Sequence, residues 1–335
     1  IGNKLSKHSF TPGVIETLGP LLEKEGYEVS YAGTYKNKIL RLLEIVFKTL
    51  TTGKRVDYIL IDTYSTSAFW FAYLTGRLAK LIGTKYIPLL HGGDLPARLK
   101  KSPGACRKLF GNSHTNVAVS GYLKYEFEKY GYRTVLIPNS IDISFYPFRK
   151  RGKLLPNLLW VRSFHRIYNP LMAADVLAEL KKKYPAATLC MVGPDKDGLM
   201  KSFADYVEKK GIKDSVRITG KLSKEEWIQL SENYAIFINT TNYDNTPVSV
   251  IEAMALGLPV VSTNPGGIPY LLQDGHDALL VKPGDYMEMT GKIIQLMENP
   301  NLALEITLNA RKKAESFDWN EIKKKWIRLF SNLNE

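Results

Sequence analysis

The stretch Asn239-Thr-Thr-Asn-Tyr-Asp-Asn-Thr-Pro-Val-Ser-Val-Ile-Glu252 is where residue types and spacing in this 335-residue chain come nearest to a ligand site. An apolar run ending at Asn239 predicts a strand. Thr246 suits a helix N-cap and Pro247 the first helical position, so a helix is expected to begin there. The next amides, Val248 and Ser249, then lack acceptors within the helix, and the helix dipole adds positive potential; such a start binds anions, phosphate above all. Val250, Ile251, Met254 and Ala255 make the apolar face, which leaves Ser249 and Glu252 on the other side. There Glu252 is placed to face a ligand. A carboxylate is a poor partner for phosphate, but it can accept two hydrogen bonds from the vicinal hydroxyls of a ribose. The competing reading is an exposed helix glutamate, the usual fate of that residue.

A helix start of this kind is held by a parallel sheet, and the rest of the chain supplies one twice. Short β-branched runs alternate with helical patterns throughout, which predicts an α/β chain with crossover helices. Strands are expected at residues 58–62, 85–90, 116–120 and 134–138, then at 157–161, 187–192, 216–219, 235–239, 259–262 and 278–281. Two doubly wound domains in tandem account for that series. A turn-rich segment with a charge run, 139–152, marks the junction. Ile1 to Leu5 read as the tail of a first strand and its loop. From 318 to 333 the spacing of Trp319, Ile322, Trp326 and Phe330 predicts a helix with one apolar side.

Composition narrows the class. With 44% hydrophobic and 24% charged residues the chain is globular rather than disordered or fibrous. Cys106 and Cys190 stand far apart without metal-ligand spacing, which fits a reducing compartment. The longest apolar stretches fall well short of a spanning helix, so a cytoplasmic protein is expected, peripheral on the inner face of a membrane at most. Residues 1–150 hold 22 Lys and Arg against 11 Asp and Glu, and the remainder 24 against 22, so the excess charge sits in the first half. That half is expected to meet an anionic partner: phosphate groups, an acidic membrane surface or nucleic acid. Within it, 36–54 form a basic amphipathic segment with Ile39, Leu40, Leu43, Val46, Phe47 and Leu50 on one side. The favoured reading buries that stripe against the domain's own sheet, and a membrane-surface helix is the alternative.

Residues 244–269 also resemble the nucleotide-sugar site of retaining glycosyltransferases of family 4, which have the GT-B fold. That pattern is an acid, seven residues and a glutamate, here Asp244 and Glu252, then Ala253-Met-Ala-Leu-Gly-Leu-Pro-Val-Val261 and Gly266-Gly-Ile-Pro269. The first acid is usually glutamate, and Pro247 stands where glycine is frequent. The similarity extends over nearly the whole chain. It implies two Rossmann-like doubly wound domains facing a cleft: an acceptor-side domain at 1–148, a nucleotide-sugar domain at 149–317, and a helix at 318–335 crossing back. It further implies that Arg162 holds the donor diphosphate. No lysine follows at the family's second cationic place, near Tyr168, and Arg166 is the nearest substitute. Gly220 borders the nucleobase, Asn245, Thr246, Pro247, Val248 and Ser249 line the phosphates, and Glu252 holds the ribose. Asp244 and His91, in Leu89-Leu-His-Gly-Gly93, orient the sugar, while Lys4 and Lys7 are candidates for an anionic acceptor.

The activity so implied is transfer of a sugar, with retention, from a nucleoside diphosphate sugar to a glycan, lipid-linked or other hydroxyl acceptor, in cell-surface polysaccharide or glycoconjugate synthesis. Positioning and electrostatics carry such a reaction, so no cofactor is expected, and the chain is read as holding no Asp-x-Asp tripeptide, so no bound metal is expected either. The alternative is a non-catalytic protein of the same fold that binds an anionic surface or nucleic acid. Nucleic acid is not the expected partner, because no basic strand interleaved with aromatics is present.

Overall fold

The computed structural model describes residues 1–5, 13–92 and 94–331, which divide into two compact units, 1–137 and 138–335. In the first unit the order is α1 (Val14–Lys24), α2 (Lys38–Thr52), β1 (Tyr58–Thr63), α3 (Phe69–Leu81), β2 (Lys85–Leu90), α4 (Leu95–Lys101), α5 (Pro103–Phe110), β3 (Asn116–Ala118), α6 (Gly121–Glu128) and β4 (Thr134–Leu136). The four strands form one parallel sheet in the order β1-β2-β3-β4. Its third strand stops two residues short of the expected end. Ser120 is spent as the cap of α6, accepting from the Leu123 amide at 3.1 Å. The opening residues pair along the free edge of β1: Ile1 donates to the Leu60 carbonyl at 2.7 Å and accepts from the Asp62 amide at 2.9 Å.

The second unit runs β5 (Asn157–Val161), α7 (Pro170–Lys183), β6 (Thr188–Val192), α8 (Leu199–Lys209), β7 (Val216–Gly220), α9 (Lys224–Ser231), β8 (Ile236–Asn239), α10 (Val248–Ala255), β9 (Val260–Thr263), α11 (Ile268–Leu271), β10 (Leu279–Val281), α12 (Tyr286–Glu298), α13 (Pro300–Glu315) and α14 (Trp319–Ser331). Its six strands are parallel in the order β10-β9-β8-β5-β6-β7. Alternation along β5 sends Leu158 and Trp160 into one apolar layer and Leu159 into the other, so both faces of the sheet are covered. The chain winds outward from β5 to β7, then returns to β8 beside β5 and winds the other way. The loops leaving the carboxyl ends of β5 and β8 therefore diverge, and an open α/β sheet takes its ligands at such a point. The junction segment is tied to this unit: Arg151 donates to the carbonyls of Leu256 and Gly257 at 2.9 and 2.7 Å, and Ile141 exchanges backbone bonds with Phe317 and Trp319.

One expectation is overturned in the first unit. The apolar stripe of 36–54 is not buried against the sheet. Ile39, Leu40, Leu43, Phe47 and Leu50 are exposed, and the face turned inward carries Arg41, Ile45 and Thr49. The inward polar groups are accommodated locally: Thr49 bonds back to the Ile45 carbonyl at 2.7 Å, and the Arg41 guanidinium lies 5.5 Å from the Phe71 ring centroid. Among the described residues no helix is long and apolar enough to cross a membrane.

Candidate active site

At the switch point the two loops are bolted to each other. Trp160 donates its indole N–H to the Thr240 hydroxyl at 3.0 Å, and that hydroxyl donates on to the Tyr168 carbonyl at 2.8 Å. The Asn242 amide donates to the Ile167 carbonyl at 2.7 Å. Asn169 takes the left-handed conformation (φ 47°) that asparagine tolerates, and caps α7 by accepting from the Met172 amide. The loop after β5 is thereby fixed against the loop after β8.

Arg162 and Asp244 meet in this crevice, one from each loop. Their side chains form an ion pair in which only 13% and 14% of their surface stays exposed. The Arg162 Nε also approaches Asn239 Oδ1 at 3.4 Å, Asn239 donates to the Ser262 hydroxyl at 2.9 Å, and the guanidinium lies 4.7 Å from the Tyr168 ring centroid. Tyr168, at the place where a second cation was sought, thus supplies a ring face for the first one. Burial raises the Tyr168 phenol above its ordinary range. Arg166 is elsewhere: its side chain is 81% exposed and its Nε lies 3.7 Å from Asp197, with His165 on the same carboxylate at 3.3 Å. It shares no partner with Arg162.

The Asp195-Lys-Asp197 tripeptide has the Asp-x-Asp spacing of a metal-binding pair, a spacing the no-metal expectation left out of account. Both carboxylates already have protein partners. Asp195 accepts from the amides of Leu199 and Met200 at 3.0 and 3.3 Å, and Asp197 from the Arg166 amide at 3.2 Å.

Helix α10 begins one residue later than expected. Pro247, not Thr246, is its N-cap, with ψ 111° and no side-chain capping bond. Proline carries no donor and fixes φ without requiring helical ψ, so the turn closes only at Val248. The Pro247 carbonyl takes the amides of Val250 and Ile251 at 3.1 and 3.4 Å. Val248 and Ser249 stand first, with no intrahelical acceptor. The Ser249 hydroxyl is buried and without a hydrogen-bond partner among the described residues. Three donors are thus gathered at the carboxyl end of β8.

The side of α10 that carries Glu252 is also not open, as the apolar pattern had implied. Glu252 is buried with Val250, Ile251, Ala253 and Met254. Tyr146, from the junction segment, donates its hydroxyl to Oε1 at 2.5 Å, and the Lys224 ammonium lies 3.3 Å from the same oxygen. A buried carboxylate requires such partners. Burial, then the charge and hydrogen bond of Glu252, hold the Tyr146 phenol well above its usual range. Both contacts fall on Oε1, which leaves Oε2 as an acceptor for something else. Tyr146 and Lys224 were not singled out from the sequence. They stand 106 residues before and 28 before Glu252, and no local pattern links them.

The paired glycines after β9 have a steric cause. A Cβ on Gly266 would sit 2.5 Å from the Asp244 carbonyl oxygen, and one on Gly267 would sit 1.9 Å from that of Asn245. Gly266 also takes φ 57°, and the Gly267 amide donates to the Asp244 carbonyl at 2.9 Å. Asp244 and Asn245 are set by a backbone shelf that only glycine allows. Gly220 ends β7 with φ 73° and accepts from the Gly193 amide at 2.8 Å, so it borders the same end of the sheet.

His91 belongs to the first unit, directly after β2, where its amide donates to the Thr63 carbonyl at 3.1 Å. Its Nε2 lies 3.5 Å from Asp62 Oδ1, with side chains only 7% and 3% exposed, and the Tyr64 ring stands at 5.8 Å. Neither ring nitrogen of His91 nor Asp62 Oδ2 has a hydrogen-bond partner among the described residues. Asp62 was not foreseen either. Lys4 is laid over the Tyr31 ring, 3.6 Å from its centroid, while Lys7 and Gly93 lie outside the described residues.

The second unit thus holds a Rossmann-like sheet, a helix start whose first amides lack intrahelical acceptors, a buried acid on that helix and an arginine across the switch point. Residues 153–313 match the family of glycosyl transferases group 1. The sulfoquinovosyl transferase of Arabidopsis thaliana is 29% identical over 150 residues, 43% of this chain and 28% of that one. An α-(1→4)-mannosyltransferase of Mycolicibacterium hassiacum is 29% identical over 126 residues, 37% of this chain and 31% of that one. The chain thus aligns with less than a third of these two relatives' lengths. Among solved structures, the Anabaena protein HepE in complex with UDP superposes with a TM-score of 0.78 at 20% identity, covering 96% of this chain and 90% of that one. Sucrose-phosphate synthase of Thermosynechococcus elongatus gives 0.77 at 17%, covering 96% and 92%. These similarities bear out the α/β class with two Rossmann-like parallel-sheet domains of the GT-B kind.

Proposed function

We propose that this chain is a retaining glycosyltransferase of family 4 that moves a sugar from a nucleoside diphosphate sugar to a hydroxyl of a glycan or lipid-linked acceptor, in the synthesis of cell-surface polysaccharide or glycoconjugate. The observation that carries the reading is the pairing of Arg162 with Asp244, in the loop that leads into α10, at the switch point of the second sheet. A departing diphosphate needs cationic and N–H partners that are already oriented. Arg162, the amides of Val248 and Ser249 and the Ser249 hydroxyl are such partners. Glu252 offers Oε2 to the ribose hydroxyls while Tyr146 and Lys224 hold Oε1. Asp244, set by the glycine shelf, is assigned to a sugar hydroxyl. His91 is assigned to the sugar as well, since its buried nitrogens and Asp62 Oδ2 have no hydrogen-bond partner among the described residues. Asn245, Thr246 and Pro247 shape the phosphate loop, Gly220 borders the base, and Arg166 is left as a peripheral cation.

The proposal includes no metal. Arg162 and the helix start supply the positive potential that a divalent ion would otherwise provide, so EDTA should leave turnover unchanged. The excess positive charge of residues 1–150 suits an acceptor that bears phosphate or lies at an anionic membrane. UDP is the first base to try, because UDP occupies a solved structure of similar fold. The test is a thermal-shift series with UDP, GDP, ADP and CMP. A rise with one diphosphate that is lost in Glu252→Ala supports the reading, because a ligand that binds only the native state stabilises it. No rise with any of them sinks it.

A further inference from the structure

Helix α2 presents an apolar face that is left exposed among the described residues. Ile39, Leu43, Phe47 and Leu50 follow one another at intervals of four, four and three residues, so they share one side. They are 70%, 59%, 68% and 45% exposed. An ordinary outer helix turns such a stripe inward. Here the helix is anchored with the stripe outward: Asn37 caps it, accepting from the amides of Ile39 and Leu40, and Glu44 accepts from the amides of Gly33 and Thr34 at 3.1 and 2.8 Å. The inward side is filled by Arg41, Ile45 and Thr49. The exposed stripe is therefore a fixed property of the folded unit rather than a frayed element.

We propose that α2 is a docking helix for an anionic lipid surface, lying in the plane of the interface with Ile39, Leu43, Phe47 and Leu50 at the boundary between headgroups and acyl chains. Charge decides the occupant. With Arg41 turned inward, residues 36–55 still carry Lys36, Lys38, Lys48, Lys54 and Arg55 against Glu44 alone, five positive charges to one negative. Two copies of the chain meeting through this face would bring two such segments together, and like charges at a contact repel. A nucleic acid would answer the lysines but leave the apolar side chains uncovered. An anionic bilayer satisfies both, the basic residues near headgroups and the apolar ones just beneath. Lys36 and Lys54, at the two ends of the stripe, have long apolar stems that let their ammonium groups reach headgroups while α2 lies flat. The surface belongs to the first unit and does not depend on what the second unit binds.

The test is co-sedimentation of the chain with vesicles of phosphatidylcholine alone and with about one third phosphatidylglycerol, at low and raised salt. The lipid-bound fraction should be at least about tenfold greater on the anionic vesicles and should fall as salt shortens the Debye length. Leu43→Glu with Phe47→Glu should abolish it. Both side chains are exposed, so the variant's melting temperature and its nucleotide-induced shift should match those of the parent, which separates loss of docking from loss of fold. Equal sedimentation of parent and variant, or none by either, overturns the proposal. So does a dimer in solution that the double variant dissolves while neither protein binds vesicles, because the face would then be a contact between copies. A failure of every nucleotide to bind would leave the lipid result standing, and a failure on lipid would leave the transferase reading standing.

Discussion

The two units hold the charged residues of their candidate sites in different ways. In the second, Arg162 is paired with Asp244, and Glu252 with Tyr146 and Lys224. In the first, the side chains of His91 and Asp62 are buried with no hydrogen bond to the imidazole among the described residues, and an apolar helix face is exposed. A site built from mutually paired groups keeps its geometry and suits a constant ligand such as a nucleoside diphosphate. Groups left unsatisfied make sense where the partner comes from outside. The family match follows the same division: it begins at residue 153 and lies wholly within the second unit.

The sharpest way to break this contrast is Arg162→Ala. It removes the cation from the crevice and leaves Asp244 without its partner, so kcat should fall by about two to three orders of magnitude, the usual loss when one preorganised transition-state donor is removed. Wild-type turnover would mean that the paired groups are structural. Next in size is Gly267→Ala. Its methyl would press on the Asn245 carbonyl, and overpacking of this kind costs about 1–3 kcal/mol, read as a lowered melting temperature together with weaker nucleotide binding. In the first unit, His91→Ala should reduce turnover by about a hundredfold, the lower end of the range for a positioned catalytic side chain, while leaving the affinity for free nucleoside diphosphate unchanged. A parallel loss of nucleotide affinity would erase the division of labour.

The smallest effect concerns Tyr146. Its phenol is held neutral by burial and by Glu252, so its folded pKa lies above the unfolded value of about 10. The stability it contributes is fully present below pH 10 and declines as pH rises beyond that, because the unfolded chain ionises first. Tyr146→Phe should therefore be less stable than the parent by about 0.5–1.5 kcal/mol near neutrality, the net worth of a typical hydrogen bond, since Lys224 still stands beside Glu252 Oε1. The gap should narrow in melts recorded above pH 10. A gap that stays constant with pH would show that the phenol is not what holds Glu252.

How much could be read from the sequence follows the same division. Strand positions came within about two residues, because a short β-branched run between turn residues has few other fates. The crevice residues Arg162 and Asp244 were legible because a family pattern runs through them. Tyr146 was not, since its partner is 106 residues away and junction tyrosines carry no periodic signal. Asp62 escaped for a like reason, lying inside an ordinary apolar strand. For α2 the periodicity correctly located the apolar side and the inference about its burial failed. A moment says which way a helix is greasy; it does not say whether anything covers that side. Arg166 was placed by sequence proximity to a motif, and a tight turn with Asp197 carries it outward.

The anchoring of α2 bears on timing. With Asn37 and Glu44 holding the helix and Arg41 locked inward, no segment has to unfold or roll before the apolar side meets its target. Arrival is then a matter of diffusional encounter steered by the lysines, so association should respond to ionic strength within a mixing time rather than wait on a conformational step.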